Sequence, residues 1–178
     1  MPHLNIEIKA RSDNLQTIRD LLQAHQADFR GTDHQIDTYF KVPHGRLKLR
    51  EGNIENALIY YEREDQEGPK RSAITLLPVT PGSPLKALLT QAVGILMVVE
   101  KHRDIYFIDN VKFHLDDVRD LGTFVEIEAI DYDGTIGSET LRVQCQKFLA
   151  LFNIQPDQLV AVSYSDLLLQ RTNLNPDM

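Results

Sequence analysis

The chain has 178 residues, of which 42% are hydrophobic and 25% are charged, a balance that is ordinary for one globular domain with a buried core. Its formal net charge of −7 argues against a general nucleic-acid-binding surface, which needs a basic face, but allows a basic site inside an acidic shell. Cys145 is the only cysteine, which excludes an intramolecular disulfide and fits a reducing compartment.

The N-terminal half is predicted to be mostly extended, with one helix near its start. Alternating apolar and polar residues predict a first strand at residues 4–9. Ser12 or Asp13 can cap a helix that runs to about residue 27, because apolar residues recur there at helical spacing. The extended segments that follow are at about residues 29–41, 46–50, 57–63 and 73–79.

The C-terminal half alternates strands and helices. Ser83 and Pro84 predict the start of a second helix, and Gly94 predicts its end. Three further strands are expected at about residues 98–108, 111–116 and 123–128. Ser138 can begin a third helix that reaches about residue 152, and a short closing helix is expected at 165–170. We expect one domain over residues 1–178, with 171–178 as a flexible tail.

The number and spacing of the strands predict the fold class. Short turns join most of them, which favours antiparallel pairing because parallel pairs need long crossovers. About eight strands can close into a barrel that holds side chains and one small ligand. We therefore expect an α+β protein, a closed eight-stranded antiparallel β-barrel with flanking helices. The polar N-terminus and the lack of a long apolar run predict a cytoplasmic protein without a membrane partner.

The polar faces of the predicted strands are sorted by charge. Arg46, Lys48 and Arg50 place three cations on one strand face, at alternate positions. The same alternation recurs for cations at Lys101 and Arg103 and for carboxylates at Glu126 and Glu128. Like charges at this spacing repel, so the sorting indicates that something of opposite charge lies between the strands.

A triphosphate bound together with Mg²⁺ or Mn²⁺ would match these faces. Arg and Lys side chains bind phosphate oxygens, and both metals prefer carboxylate oxygens and bridge to phosphates. A single alternating cationic strand is also typical of a solvent-exposed sheet face. A structural barrel with solvated charges is therefore an alternative, but it must account for all the charged strands together.

Several short motifs, in chain order, resemble those of the CYTH domains, also called triphosphate tunnel proteins. The segment Asn5-Ile6-Glu7-Ile8-Lys9 resembles the ExExK strand that opens these domains. The other segments that resemble the family are at residues 35–51, 100–106, 114–128 and 163–168. The resemblance spans about residues 4–169 and is nearest to the class IV adenylate cyclase-like branch.

This resemblance implies a triphosphate tunnel that works with Mg²⁺ or Mn²⁺, and it assigns roles to residues. The cations that would bind phosphate and act in catalysis are Lys9, Arg46, Lys48, Arg50, Lys101 and Arg103. The further cations that would bind phosphate are Arg63 and Arg71. The carboxylates that would ligate the metal are Glu7, Asp116, Glu126 and Glu128.

The activity that the resemblance implies is that of an adenylate cyclase, which converts ATP to cyclic AMP and pyrophosphate. The alternatives are a triphosphatase that acts on inorganic, thiamine or nucleoside triphosphate, and a catalytically weak module that binds triphosphate or polyphosphate. Asn5 replaces the first glutamate of ExExK, so one charged metal ligand is lost. This loss keeps the weak binding module as an alternative. No nucleic-acid partner is expected, and the resemblance allows a homodimer.

Overall fold

The computed structural model describes residues 3–63 and 66–174, apart from the side chains of His3 and Arg63. The strands are β1 His3–Arg11, β2 Asp28–Phe40, β3 Arg46–Gly52, β4 Ala57–Arg63, β5 Lys70–Pro78, β6 Ile95–Ile108, β7 Val111–Val118 and β8 Gly122–Asp131. The helices are α1 Leu15–Ala24, α2 Leu85–Val93, α3 Ser138–Leu151 and α4 Tyr164–Leu174, and a short 3₁₀ helix at Pro156–Gln158 precedes α4.

The strands form one closed antiparallel barrel in the order β1-β5-β4-β3-β2-β6-β7-β8. β1 closes the barrel, because it pairs with β5 on one side and with β8 on the other. At the level of Glu7, the opposite residues are Lys70 on β5 and Glu128 on β8. The predicted α+β class and the closed eight-stranded antiparallel barrel are confirmed.

Two helices cover the outer face of the barrel where β1, β7 and β8 lie side by side. Ile18 and Leu22 of α1 and Phe148 of α3 are buried against the apolar faces of these strands. The rings of Phe113 and Phe148 meet edge to face, with centroids 4.7 Å apart. Burial of a side chain of this size stabilises the fold by about 1.5–3 kcal/mol. The apolar residues of these strands thus face outward, and their polar residues face the interior.

The segment before α4 closes one end of the barrel. The N–H of Val160 donates to the carbonyl of Lys9 at 2.9 Å, which fixes the segment to β1. The ammonium of Lys70 is fully buried and donates to the carbonyls of Val160 at 3.0 Å and Ala161 at 2.6 Å. A buried lysine therefore links β5 to this C-terminal segment.

The helix starts differ from the predictions in detail. α1 is capped by Asn14 rather than by Ser12 or Asp13, and the Asn14 side chain accepts the N–H of Thr17 at 3.1 Å. Ser, Asp and Asn cap helices about equally well, so the sequence alone could not separate adjacent candidates. α2 has Pro84 at its N-cap, one residue after the expected cap Ser83, whereas Gly94 ends the helix with φ at +79°, as predicted.

α4 is longer than predicted. It continues through Leu174, so residues 171–174 of the expected flexible tail are helical, and residues 175–178 lie outside the described part. Within the described residues, no helix has both the length and the apolar character that crossing a bilayer requires.

Candidate active site in the barrel interior

Because successive side chains of a strand alternate between its two faces, most of the predicted site residues line one interior cavity of about 250 Å³. Ile6 and Ile8 of β1 pack outward against the helices, so Glu7 and Lys9 face inward. The predicted residues that line the cavity are Glu7, Lys9, Lys48, Arg50, Lys101, Arg103, Glu126 and Glu128.

One side of the interior gathers three cations around a single carboxylate, and we call this group the cationic wall: Lys48, Arg50 and Lys101 around Asp37. The two oxygens of Asp37 accept from Arg50 at 2.9 and 3.0 Å, and one also accepts from Lys48 at 2.9 Å and Lys101 at 2.8 Å. Burial alone would raise the pKa of Asp37, but the three cations hold it well below its usual range. The carboxylate is thus ionised, and the cationic wall keeps a surplus of positive charge.

Lys101 is the most deeply buried cation of this wall. Burial lowers the pKa of its ammonium to about 7, since the attraction of Asp37 is opposed by Arg103, Arg50 and Lys48. An anion bound beside it would favour the protonated form. The ammonium is therefore held where an additional negative charge would stabilise it.

The opposite side of the closed strand order carries carboxylates, and we call it the acidic wall: Glu7, Glu126 and Glu128 on β1 and β8. Glu126 lies 3.2 Å from the Lys9 ammonium, 2.9 Å from Arg103 and 3.0 Å from His114 Nδ1. Burial raises the pKa of Glu126, but Lys9 and Arg103 together hold it well below its usual range. Glu126 thus orients two of the predicted phosphate-binding cations.

Glu128 differs from Glu126 because its charge is not well balanced. Burial raises its pKa to about 7, and Glu7 and Glu126 add to the rise while Lys112 opposes it. The amide of Asn5, which stands where the motif has its first glutamate, donates to Glu128. The Asn5 Oδ1 atom is buried and has no hydrogen-bond partner among the described residues. Asn5 thus relieves a carboxylate cluster that a glutamate at this position would worsen.

The acidic wall could hold Mg²⁺ or Mn²⁺ after some rearrangement. Glu7 and Glu128 lie opposite each other on paired strands, Glu126 is next along the same face, and carboxylate oxygens suit both metals. Among the described residues, no three His, Cys, Asp or Glu side chains already stand in a metal-binding arrangement. The donor types fit a divalent cation, and the side chains would have to converge on it.

Asp116, the fourth predicted metal ligand, is committed to other partners. Its oxygens accept from Arg103 at 2.7 and 2.6 Å and from the Tyr164 hydroxyl at 2.7 Å. It is fully buried and does not line the cavity. Its observed contacts therefore orient Arg103 rather than present an oxygen to a ligand in the cavity.

His114 stands between the two walls as an uncharged ring. Burial and the neighbouring Arg103 together lower its pKa to about 3, although the contact with Glu126 opposes this shift. Its Nδ1 is near Glu126, and its Nε2 is buried without a hydrogen-bond partner within the described part of the chain. A neutral imidazole of this kind can exchange a hydrogen bond with a ligand but adds no charge.

Two predicted cations lie away from the cavity. Arg46 does not line it and pairs instead with Asp166 of α4 at 2.8 Å. Arg71 is exposed on the outside of the barrel, and its neighbour Lys70 is the buried residue. The expectation for Arg71 is corrected by one residue, because a strand turns successive side chains to opposite faces. Arg63 was a further candidate, but its side chain lies outside the described part.

Several charged residues of the cavity were not predicted. Lys112 lies on β7, on the face that also carries the predicted Asp116, so strand alternation could have identified it. Asp37 pairs with cations of the cavity without lining it, and it lies on β2, which carries none of the predicted site residues. Glu55 and Tyr164 reach the interior from outside the predicted strands, where strand alternation gives no signal. The cavity is also lined by apolar residues, namely Ile59, Ile74, Leu76, Phe107 and Ile130.

A closed antiparallel barrel with a charged interior and flanking helices is the architecture of the triphosphate tunnel proteins. A family model for the CYTH domain matches residues 3–160. The chain belongs to the CYTH family. No curated protein matches it significantly.

Solved structures share the fold at low sequence identity. The protein PH1012 from Pyrococcus horikoshii OT3 is 23% identical with a TM-score of 0.75, and the match covers 92% of this chain and 98% of that one. A putative adenylate cyclase from Vibrio parahaemolyticus is 18% identical with a TM-score of 0.72, covering 95% and 99%. A putative adenylyl cyclase from Hippeastrum with a dominant triphosphatase activity is 16% identical with a TM-score of 0.62, covering 96% of each chain. At these identities the likeness concerns the fold.

Proposed function

We propose that this protein is a metal-dependent enzyme that acts on a triphosphate, with conversion of ATP to cyclic AMP and pyrophosphate as the leading reaction. The observation that carries the proposal is the division of one cavity in the barrel interior into a cationic and an acidic wall. Buried cations in surplus favour a multiply charged anion, and a carboxylate cluster favours a divalent cation beside it. Membership of the CYTH family supports the same substrate class.

The chain's own residues would bind and orient the triphosphate. Lys48, Arg50 and Lys101 would exchange part of their contact with Asp37 for phosphate oxygens, and Arg103 would complete the set. Because these donors are already fixed by strand pairing, they could stabilise charge that develops on the phosphates at little reorganisation cost.

The proposed metal ligands are Glu7, Glu126 and Glu128. When bound, Mg²⁺ or Mn²⁺ supplies charge neutralisation and polarises phosphate oxygens. The apolar residues Leu76, Phe107 and Ile130 line the same cavity and would suit the non-phosphate part of an organic triphosphate. This lining supports a nucleoside triphosphate over inorganic tripolyphosphate.

The reaction is tested by product analysis. The protein is incubated with ATP or inorganic tripolyphosphate, with Mg²⁺, Mn²⁺ or a chelator, and the products are separated by chromatography. Cyclic AMP with pyrophosphate, lost on chelation, is the expected result. Release of orthophosphate without cyclic AMP would instead assign a triphosphatase, since the same cations serve either reaction. Absence of any product would reject the enzymatic proposal.

The contact between Asn5 and Glu128 favours a second candidate, a module that binds triphosphate with little turnover. The variant Asn5→Glu tests it by restoring the motif's carboxylate. If the site is adapted to asparagine, we expect turnover to fall or stay unchanged, because a further carboxylate joins a cluster in which the pKa of Glu128 is already raised. A gain of tenfold or more in turnover would indicate a degenerate site and favour the binding module.

A further inference from the structure

The turn between β3 and β4 carries Glu55, whose carboxylate lies in the cavity. Glu55 lines the cavity, and its side chain is 27% exposed. Its Oε2 atom lies 2.8 Å from Arg50 Nη1, and its Oε1 atom contacts the ammonium of Lys112. A negative group that originates outside the strands thus meets two inward-facing cations.

The turn that carries Glu55 is held in a defined conformation. The fully buried carboxylate of Asp33 accepts the N–H of Ile54 at 2.8 Å and the N–H of Glu55 at 3.0 Å. A Cβ atom at Gly52 would lie 2.7 Å from the Asp33 carboxylate, so the close approach requires a glycine. The side chain of Asn56 bonds both the N–H and the carbonyl of Gly52. These hydrogen bonds therefore fix the conformation of the turn from which the Glu55 side chain reaches the cavity.

Glu55 is also ionised in this position. Burial raises the pKa of its carboxyl, but Arg50 and Lys112 hold it below the usual range for glutamate. Gln35 donates a third hydrogen bond to it at 3.2 Å. Its contacts, two cations and one amide donor, are those that a phosphate oxygen would make.

We infer that Glu55 is an internal anion that occupies the phosphate-binding position formed by Arg50 and Lys112 and competes with the ligand for it. The inference rests on the proposed function for the identity of the ligand as a triphosphate. Its turn is anchored through the backbone to Asp33, so the side chain can turn away from the cations without loss of those anchors. Glu55 is thus a specificity-determining residue that selects against anions too weakly charged to displace it.

The test compares the binding of inorganic tripolyphosphate by the full chain and the variant Glu55→Gln, measured by calorimetry. Loss of the competing carboxylate should tighten binding about tenfold, because the two cations are then left for the ligand. The variant should also be less stable without ligand and more strongly stabilised by inorganic phosphate in thermal unfolding.

The matched control is Glu51→Gln. Glu51 lies on β3 just before the turn that carries Glu55, is partly exposed, and pairs with Lys86 at 2.7 Å on the outside of the barrel. The two variants have the same net charge, so a difference between them reports position rather than total charge. A second variant, Glu55→Asp, keeps the charge but shortens the reach, and we expect a smaller gain in affinity than for Glu55→Gln.

Each outcome decides the inference. Equal affinities of Glu55→Gln and Glu51→Gln for tripolyphosphate would overturn the inference. Weaker binding by Glu55→Gln than by the wild type would also overturn it, because Glu55 would then position the cations instead of competing with the ligand. If Glu55→Gln does not fold, unchanged affinity in Glu55→Asp would overturn it equally. Binding by the wild type without turnover would reject the proposed enzyme while the affinity comparison still decides the role of Glu55. Absence of binding in the wild type and every variant would reject both.

Discussion

The cationic wall and the acidic wall differ in how their buried charges are paired. On the cationic wall, Lys48, Arg50 and Lys101 share Asp37, and only Arg50 has a second carboxylate partner, Glu55, so cations outnumber carboxylates. On the acidic wall, Glu126 is balanced by Lys9 and Arg103, whereas Glu128 has a raised pKa beside Glu7. Each wall is therefore under-neutralised by itself, and with opposite sign.

This difference distinguishes residues that stabilise the barrel from residues whose charge is available to bind a ligand. Buried charges are costly unless they are paired, and removing one partner of a buried pair leaves the other uncompensated. Arg103 bridges two carboxylates, so it stabilises the barrel in addition to its proposed contact with phosphate, while Lys48 is the third cation on one carboxylate and is available mainly to a ligand. Variants of the two walls should therefore separate stability from binding.

The largest expected effect is on stability, in Arg103→Met. The substitution leaves the buried Asp116 without its cation and removes one of the two cations of Glu126, so the free energy of unfolding should fall by about 3–5 kcal/mol. Urea denaturation measures the change. The control Arg119→Met removes an exposed partner of Glu100 and should leave stability unchanged within error. A variant at Arg103 as stable as the wild type would show that this bridge contributes little.

The next effect is on turnover, in Glu126→Gln. The amide would no longer attract Lys9 and Arg103 or serve as a charged metal ligand, so turnover should fall about 100-fold or more. The rate of product formation at saturating Mg²⁺ measures it. Glu139→Gln, an exposed change in the first turn of α3, is the matched control and should keep full activity. Full activity in Glu126→Gln would disprove the assignment of Glu126.

A smaller effect is expected for ligand affinity in Lys48→Met. Asp37 keeps Arg50 and Lys101 as partners, so the fold should be little affected, while tripolyphosphate should bind about tenfold more weakly. Calorimetry at fixed ionic strength measures this. Lys86→Met removes an equivalent charge outside the barrel, where Lys86 pairs with Glu51, and should not change the affinity. Equal losses in both variants would mean that only net charge matters.

The last effect, the smallest within any one pH unit, is a pH dependence of stability that comes from Lys101. An unfolded lysine keeps its proton to about pH 10.4, whereas burial lowers the pKa of Lys101 to about 7. Between these values the unfolded chain binds more protons, so the free energy of unfolding should rise with pH, by up to about 1.4 kcal/mol per pH unit. Urea denaturation from pH 7 to 10 should show this rise relative to Lys101→Met. A constant difference between the two proteins would contradict the lowered pKa.

Much of the cavity could be predicted because β-strands alternate. Lys48 and Arg50 face inward together, as do Glu126 and Glu128, since every second residue of a strand shares a face. The same rule fails when the register is uncertain by one residue, which is why Arg71 was expected inside and Lys70 is found there. Phosphate binding by the predicted cations, the cytoplasmic location and the single-domain organisation stay predictions.

The sequence by itself determined the fold class and the signs of charge on the strand faces, because periodicity and residue type are local properties. Only the tertiary structure decided which charges meet. Asp37 is one residue on one strand, yet barrel closure surrounds it with cations from β3 and β6. Glu55 lies in a turn without periodicity, and its contact with Lys112 on β7 exists only because the closed barrel brings them together. Contacts across a barrel depend on its closure and register, which no single stretch of sequence contains.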